Sequence, residues 1–160
     1  MAIERVKAYF KELGMEDKVQ ELEMSSATVE LAAAALGTEP GRIAKTLSFM
    51  VNEAPVLIVT AGDVKIDNAK YKKYFGAKAK MLTPQQAEEL VGHAVGGVCP
   101  FAVNEGVTVY LDESLKKYVT VFPACGSSNS AIELTIEELE KYSLYNSWVD
   151  VCKEKESVAE

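Results

Sequence analysis

Lys45 is the residue of this 160-residue chain whose type and setting most strongly suggest chemistry. It stands inside the apolar stretch IAKTLSF, residues 43–49, at the start of a segment that reads as a buried strand. A lysine seldom occupies such a position unless its ammonium group reaches water, a partner or a ligand. One interpretation is a side chain whose stem lies on apolar surface while its head stays in water. The other is a fixed cation directed at an anion or at a polarised carbonyl, and composition does not decide between the two.

Two loops of small residues could supply polar groups to the same site. The stretch VGHAVGGVCPFAV, residues 91–103, contains Gly96, Gly97 and Pro100 in the spacing G-x-x-x-P. A glycine pair fixed by proline could present backbone N–H groups to a developing oxyanion, or it could simply make a sharp turn. The stretch ACGSSNS, residues 124–130, could line the same pocket through Gly126, Ser127 and Ser128, although serine and asparagine turns explain this composition equally well.

The only histidine, His93, and Cys99 suggest a cysteine nucleophile with a histidine base. Their spacing of six residues fixes no hydrogen bond, and no cation or helix N-terminus is visible that would lower the pKa of the thiol. We therefore predict a packed thiol and a structural histidine. With one histidine and no CxxC pair among three cysteines, the sequence predicts no metal site, no cofactor and no disulfide framework, and it favours a reducing compartment such as the cytoplasm.

The charge is unevenly distributed along the chain. The net charge is −7, yet the segment from Lys65 to Lys80 holds six lysines and one acid, whereas residues 133–160 are acidic. The lysines form either a solvated helix face or an electrostatic footprint for phosphates. No run of 18 apolar residues exists, which argues against a membrane partner, and the N-terminal residues do not resemble a secretory signal.

The pattern along the chain predicts one mixed α/β domain over residues 1–152, followed by a frayed polar tail at 153–160. Capping residues and apolar periodicity predict helices, one of them lysine-rich, and capping boxes at Thr83 and Thr135 start two of them. Segments 45–51 and 55–62 predict a hairpin around the turn at 52–54. The predicted helices are 3–13, 28–37, 67–76, 83–91 and 135–142, and the other predicted strands are 19–24, 78–82, 107–111, 118–122 and 131–134.

Taken in order, these pieces resemble the YbaK/prolyl-tRNA synthetase editing-domain family of aminoacyl-tRNA deacylases. The resemblance spans roughly residues 25–140 and rests on five motifs in the family's order. They are TVELAAAALGTEPGRIAKTLSF, TAGD, VKIDNAKYKKYFGAKAKML, GGVCPF and GSSNSAIELTIEEL. It implies a mixed α+β fold with a partly barrel-like β-sheet flanked by helices. It also implies hydrolysis of a wrong amino acid from the 3′ end of tRNA.

The resemblance assigns the main functional roles to Lys45 and Gly96, with Gly97 beside it. Thr46 follows the lysine as it does in many relatives, and Pro100 completes the G-x-x-x-P motif. Two positions depart from relatives that act on cysteinyl-tRNA. Ala124 stands where they tend to have serine, and Ala131 where they often have aspartate, which weakens the inference to cysteine as the substrate amino acid.

The combined interpretation is a free-standing trans-editing hydrolase that removes a small amino acid from mischarged tRNA, with tRNA(Pro) as the expected carrier. Lys45 and the backbone at Gly96 and Gly97 would position the ester, while Thr46, Pro100, Gly126, Ser127 and Ser128 would contact the substrate. The expected partners are the acceptor end of tRNA and a prolyl-tRNA synthetase. Two alternatives stay open: a non-catalytic module that binds aminoacyl-tRNA or nucleotides in the same pocket, and a thiol-dependent hydrolase built on Cys99.

Overall fold

A long antiparallel hairpin is the centre of the fold. In the computed structural model, which describes residues 2–155, strands β2 (Ile43–Val51) and β3 (Ala54–Ala61) pair along their whole length. Asn52 and Glu53 close the turn with φ angles of 49° and 67°. Positive φ at both turn residues matches the twist of the two strands. The predicted hairpin is confirmed, and it places Lys45 opposite Thr60.

Four further strands extend the hairpin into a curled, mixed sheet. They are β5 (Thr108–Asp112), β6 (Thr120–Pro123), β8 (Leu134–Thr135) and β9 (Ser147–Val149). The strands with the remaining numbers lie outside this sheet. The strand order is β8-β6-β2-β3-β5-β9, and the β6–β2, β3–β5 and β5–β9 pairs are parallel. Central β3 is apolar and buried, as expected for a strand covered on both faces. The predicted mixed, partly barrel-like sheet with flanking helices is confirmed.

Two small strand pairs lie outside this sheet within residues 2–155, and the prediction found the two strands of one pair and missed both strands of the other. Strand β1 (Val19–Glu21) pairs with β7 (Ser130–Ile132), and β4 (Val64–Ile66) pairs with β10 (Cys152–Glu154). Strands β4, β9 and β10 have only three residues each, too few for a recognisable period. Because β10 is paired through Glu154, the expectation of a frayed tail from residue 153 is wrong for its first two residues. The part of that tail at 156–160 lies outside the described residues.

Five α-helices within residues 2–155 cover the sheet, and four of them start at a predicted capping residue. They are α1 (Ala2–Glu12), α2 (Val29–Leu36), α3 (Asn68–Phe75), α4 (Pro84–Gln86) and α5 (Ile136–Ser143). Thr28 accepts a hydrogen bond from the Leu31 N–H, and capping boxes form at Thr83 and Thr135. The predicted 83–91 helix changes character, because a π-helical turn follows α4 from Ala87 to Val91.

Two predicted strands differ in the structure. Segment 78–82 is not a strand, and only Met81 makes an isolated bridge to Phe49. Two backbone hydrogen bonds, at Met50 and Leu82, hold the segment beside β2. Segment 131–134 divides into β7 and β8, because the chain leaves one partner for another at Glu133.

The apolar interior has two parts. The main core joins the sheet to α1, whose buried Phe10 packs edge-to-face on Phe101 at 4.9 Å between ring centroids. A smaller cluster consists of Ala32 and Ala33 of α2 with Ile43 and Phe122 of the sheet. Ala32, Ile43 and Phe122 of this cluster also line the cavity described next. Within residues 2–155 no helix is both long enough and apolar enough to cross a membrane.

Candidate active site

A cavity of about 310 Å³ lies between α2, the start of β2 and three loops. Lys45, Thr46 and Gly96 line it, so three of the residues singled out from the sequence share one space. Most of the remaining wall is aliphatic or aromatic, which is typical of sites that take small organic ligands. The wall includes Ala27, Val29, Ala32, Leu36, Ile43, Ala44, Leu47, Leu82, Val98, Phe122, Ala124 and Ala131.

Lys45 reaches this cavity from a half-buried position on β2. Its Nζ donates a hydrogen bond to the Val64 carbonyl oxygen at 2.5 Å. Burial is the main cause that lowers the pKa of Lys45 below its usual value, and the charge of Lys155 acts in the same direction. The carboxylates of Glu30 and Asp63 oppose this shift. Lys45 is therefore a fixed, partly desolvated cation.

The turn of Gly62 and Asp63, which precedes Val64, is held in place by the Asp63 side chain. The Asp63 carboxylate accepts hydrogen bonds from the Tyr118 hydroxyl at 2.9 Å and from Lys117 Nζ at 3.2 Å. Burial by itself would raise the pKa of Asp63, but these two hydrogen bonds lower it overall. The neighbouring Gly62 packs so closely that a Cβ there would lie 2.1 Å from the Pro40 carbonyl oxygen. These contacts together fix the acceptor to which Lys45 is bound.

Gly96 and Gly97 have different surroundings, and the structure separates their roles. Gly96 lines the cavity with φ of 95°, and a Cβ there would meet only Ala27 and Ser128 side chains at 3.5 Å. Gly97 does not line it, and its N–H donates to the Ala94 carbonyl oxygen at 3.0 Å. The Gly97 N–H is thus already used in a turn. Of the two glycines predicted to position the substrate, Gly96 lines the cavity and Gly97 does not.

Gly97 is needed for close contact between two loops. A Cβ at Gly97 would lie 2.5 Å from the Ser127 backbone nitrogen and 2.7 Å from the Gly126 carbonyl carbon. Distances of this size between a Cβ and backbone atoms are not tolerated without movement. Gly97 therefore allows the 93–101 loop to pack against the 126–130 loop.

His93 and Cys99 are in contact, which their spacing did not predict. Cys99 Sγ lies 3.5 Å from His93 Nε2, and the same Nε2 lies 2.8 Å from the Phe101 carbonyl oxygen. A carbonyl oxygen only accepts hydrogen bonds, so Nε2 carries the proton and has no lone pair to take one from the thiol. Both side chains are fully buried, and burial raises the pKa of Cys99 to about 12. This arrangement fits a packed thiol and a structural histidine.

The other candidate residues, Pro100, Gly126, Ser127 and Ser128, do not line the cavity. Pro100 lines a second, smaller cavity of about 180 Å³ on the side of α5. In the 126–130 loop, the Ser127 hydroxyl bonds to Asn129 and to Ser130, and the Ser128 carbonyl oxygen accepts the Ser26 N–H at 2.6 Å. Gly126, Ser127 and Ser128 thus build the loop, while Ser130 and Ala131 after it line the cavity.

The sequence did not reveal the opposite wall of the cavity. It is formed by Val29, Ala32 and Leu36 of α2, by Thr28 at the N-cap of that helix, and by Phe122 of β6. The alanine run of α2 indicated only close packing on a sheet. Among the lining residues, Thr46 has a buried hydroxyl without a hydrogen-bond partner in the described part of the chain. That hydroxyl is available to a polar group of a ligand.

The arrangement is suited to binding a small ligand that combines an apolar group with a polarised carbonyl. The apolar wall would hold the side chain, and the half-buried cation and the backbone at Gly96 lie in the same space. No group of three or more His, Cys, Asp and Glu side chains placed to hold a metal ion occurs within residues 2–155.

Comparison with known proteins gives consistent similarities. Residues 23–142 match the family model described as the aminoacyl-tRNA editing domain. The chain is 52% identical to the uncharacterized protein YwhH of Bacillus subtilis, over 98% of this chain and 100% of that protein. It is 32% identical to EbsC of Enterococcus faecalis, named as a candidate Cys-tRNA(Pro)/Cys-tRNA(Cys) deacylase, over 70% of each chain.

A solved structure is also similar over nearly the whole chain. It is the crystal structure of a candidate trans-editing enzyme for prolyl-tRNA synthetase, with a TM-score of 0.84 and 31% sequence identity. The similarity covers 95% of this chain and 97% of that one.

The loop contact at Gly97 generates a prediction about stability. Gly97→Ala should lower the free energy of unfolding by about 3 kcal/mol, because its Cβ meets backbone rather than a movable side chain. Gly96→Ala should lower the free energy of unfolding by only about 1 kcal/mol, because the added Cβ has space there and the main cost is the left-handed φ of the backbone. Urea denaturation of both variants measures the difference. Equal losses of unfolding free energy in the two variants would contradict the contact between Gly97 and the 126–130 loop.

The acid beside the turn generates a second prediction. Asp63→Asn should lower the pKa of Lys45 further, because it removes a negative charge that raises this pKa. Tyr118→Phe is the matched control, since it removes the hydrogen bond to Asp63 but keeps the charge. The pKa of Lys45 can be followed by NMR of its side-chain nuclei. An unchanged pKa in Asp63→Asn, or an equal fall in both variants, would show that the carboxylate does not act on Lys45.

Proposed function

Because the chain belongs to the aminoacyl-tRNA editing domain family, we propose that it hydrolyses the ester between a small, wrongly attached amino acid and the 3′ end of tRNA. The observation that carries this proposal is the single cavity that contains Lys45, Gly96 and an apolar wall. Such a cavity offers separate places for an amino acid side chain, a carbonyl oxygen and a negatively charged or polar group of the nucleotide.

The proposed reaction needs no protein nucleophile. Water attacks the ester carbon, the bond to the ribose oxygen breaks, and the products are a free amino acid and a tRNA with a free hydroxyl. The backbone N–H at Gly96 would receive the carbonyl oxygen as it becomes an oxyanion. Lys45 would orient the carbonyl or bind a ribose or phosphate oxygen. The buried thiol of Cys99, with its pKa raised to about 12, fits a bystander better than a nucleophile.

The apolar wall supports a small, uncharged side chain as the group that is removed. Ala124 and Ala131 line the cavity at the two positions where the sequence departs from cysteine-specific relatives. Lys45 is the one ionisable side chain of the lining, so a charged substrate side chain would lack an acidic partner there. We propose alanine as the preferred amino acid, with serine and cysteine as weaker substrates.

The proposed carrier is tRNA(Pro), and the proposed partner is a prolyl-tRNA synthetase. Two relatives support this choice, since one is named for Cys-tRNA(Pro) and the other for trans-editing with prolyl-tRNA synthetase. Lys72, Lys73, Lys78 and Lys80 are exposed. They provide a positive surface for the acceptor stem, as an overall acidic chain that binds RNA would require.

The proposal predicts a defined order of substrates. In a discharge assay with tRNA(Pro) carrying alanine, serine, cysteine or proline, alanyl-tRNA(Pro) should be hydrolysed fastest. Serine should follow at about a tenth to a hundredth of that rate, because an apolar pocket rejects an added hydroxyl only moderately. Binding without any discharge would favour the non-catalytic alternative. Discharge of serine ahead of alanine would contradict the assignment of the apolar wall.

The proposal also predicts different effects on deacylation for variants of Lys45 and of Cys99. Lys45→Ala and the longer Lys45→Met should reduce kcat/KM for deacylation by about 100-fold or more, the usual effect of removing one group that stabilises developing charge. Cys99→Ser and Cys99→Ala should keep activity within a few fold, once folding is verified by circular dichroism. A folded Cys99 variant that is inactive in deacylation, together with an active Lys45 variant, would overturn the mechanism.

A further inference from the structure

Two exposed apolar side chains stand at the mouth of the cavity. Met81 is 57% exposed and Val95 is 64% exposed, yet both also line the cavity that holds Lys45 and Gly96. Single exposed apolar residues are common on protein surfaces. Two exposed apolar residues at the opening of the same candidate active site indicate a surface that contacts part of the ligand.

The backbone beneath Met81 is held firmly. Met81 forms a bridge to Phe49 of β2, and the residues on either side of it are hydrogen-bonded to the same strand. The Met50 N–H donates to the Lys80 carbonyl oxygen at 2.8 Å, and the Leu82 N–H donates to the Ser48 carbonyl oxygen at 3.1 Å. The exposed position of Met81 is therefore part of the fold and does not arise from a loose loop.

Val95 is presented by a loop that is also anchored at both ends. The buried His93 precedes it and is hydrogen-bonded to the Phe101 carbonyl. After it, Gly97 closes a turn onto Ala94 and packs against the 126–130 loop. The two side chains thus come from different segments that are each fixed relative to the cavity.

The charge around Met81 is positive. Lys78 and Lys80 are exposed immediately before it, and the segment from 76 to 87 contains no acidic residue. An apolar side chain beside such lysines offers both kinds of contact that a nucleotide needs, one for the face of the base and one for phosphate.

We propose that Met81 and Val95 bind the face of the terminal nucleobase of the tRNA. This inference rests on the proposed function, which puts the reacting ester inside the cavity. The base is attached to the same ribose as the ester, so it must lie within one sugar of the reacting carbon. The interior of about 310 Å³ has an apolar wall suited to the amino acid side chain, and the base would remain at the opening.

The chemistry of the two side chains fits this occupant. Apolar side chains stack on the faces of bases that are taken out of a helix, and the thioether of methionine makes favourable contacts with aromatic rings. Neither side chain hydrogen-bonds to base edges, so the contact positions the nucleotide without reading its identity.

The test uses two stable amide analogues of the substrate that carry the same aminoacyl group. One is an aminoacylated 3′-amino-3′-deoxyadenosine, and the other has the same sugar without the base. Met81→Ala and Val95→Ala should each weaken binding of the adenosine analogue by about tenfold, as expected for the loss of one base-stacking contact. Neither variant should alter binding of the analogue without the base. Isothermal titration calorimetry measures both affinities.

The controls separate this inference from the function on which it rests. Met81→Leu keeps an apolar side chain and should bind the adenosine analogue about as well as the unchanged protein. Val119→Ala, at a residue that is 85% exposed and lies outside the cavity, should leave both affinities unchanged. Equal weakening of both analogues, or no weakening of either, would overturn the base-binding role even if the protein deacylates tRNA. Failure of the unchanged protein to discharge any aminoacyl-tRNA would instead contradict the proposed function.

Discussion

The half-buried ammonium group of Lys45 is the constraint on which the arrangement of the site depends. A cation withdrawn from water needs compensation from nearby dipoles and charges. The protein supplies the Val64 carbonyl oxygen at 2.5 Å and the carboxylates of Asp63 and Glu30 at longer range. Because that carbonyl belongs to the first residue of β4, directly after the turn at Gly62 and Asp63, the long hairpin and the Asp63–Tyr118 hydrogen bond position the cation. A lysine held in this way can act on a ligand without first being ordered.

The loop from 93 to 101 complements Lys45 through its backbone. Its two conspicuous side chains, His93 and Cys99, are buried, both hydrogen-bond to the Phe101 carbonyl oxygen, and they contact each other. They stabilise the loop from within, whereas Gly96 faces the cavity and Gly97 allows close packing on the neighbouring loop. The functional surface of the loop is thus main chain, and the side chains that look reactive in the sequence have structural positions.

The sequence revealed the parts of the site that depend on local patterns. The β2–β3 hairpin, the cap at Thr28 and the capping boxes at Thr83 and Thr135 rest on short-range rules, and the structure contains all of them. Lys45 was recognisable because a charge inside an apolar strand is unusual. Strands β4 and β10 were missed because each has three residues and forms only through pairing with a distant segment, whereas β1 and β7, of the same length, lie within longer predicted segments. For the same reason, Pro100 and the serines at 127 and 128 could not be placed relative to the cavity, since their orientation depends on tertiary packing.

The proposed mechanism requires that Lys45 and the Gly96 backbone contact the same ligand. The most direct measurement is a titration of the ¹⁵N-labelled protein with a stable amide analogue of an aminoacylated adenosine, followed by NMR of backbone amides and of the lysine side chain. This shared contact predicts that the amide signal of Gly96 and the side-chain signal of Lys45 shift together with one binding constant. Shifts confined to the residues around the smaller cavity near Pro100, with Gly96 and Lys45 unchanged, would contradict it.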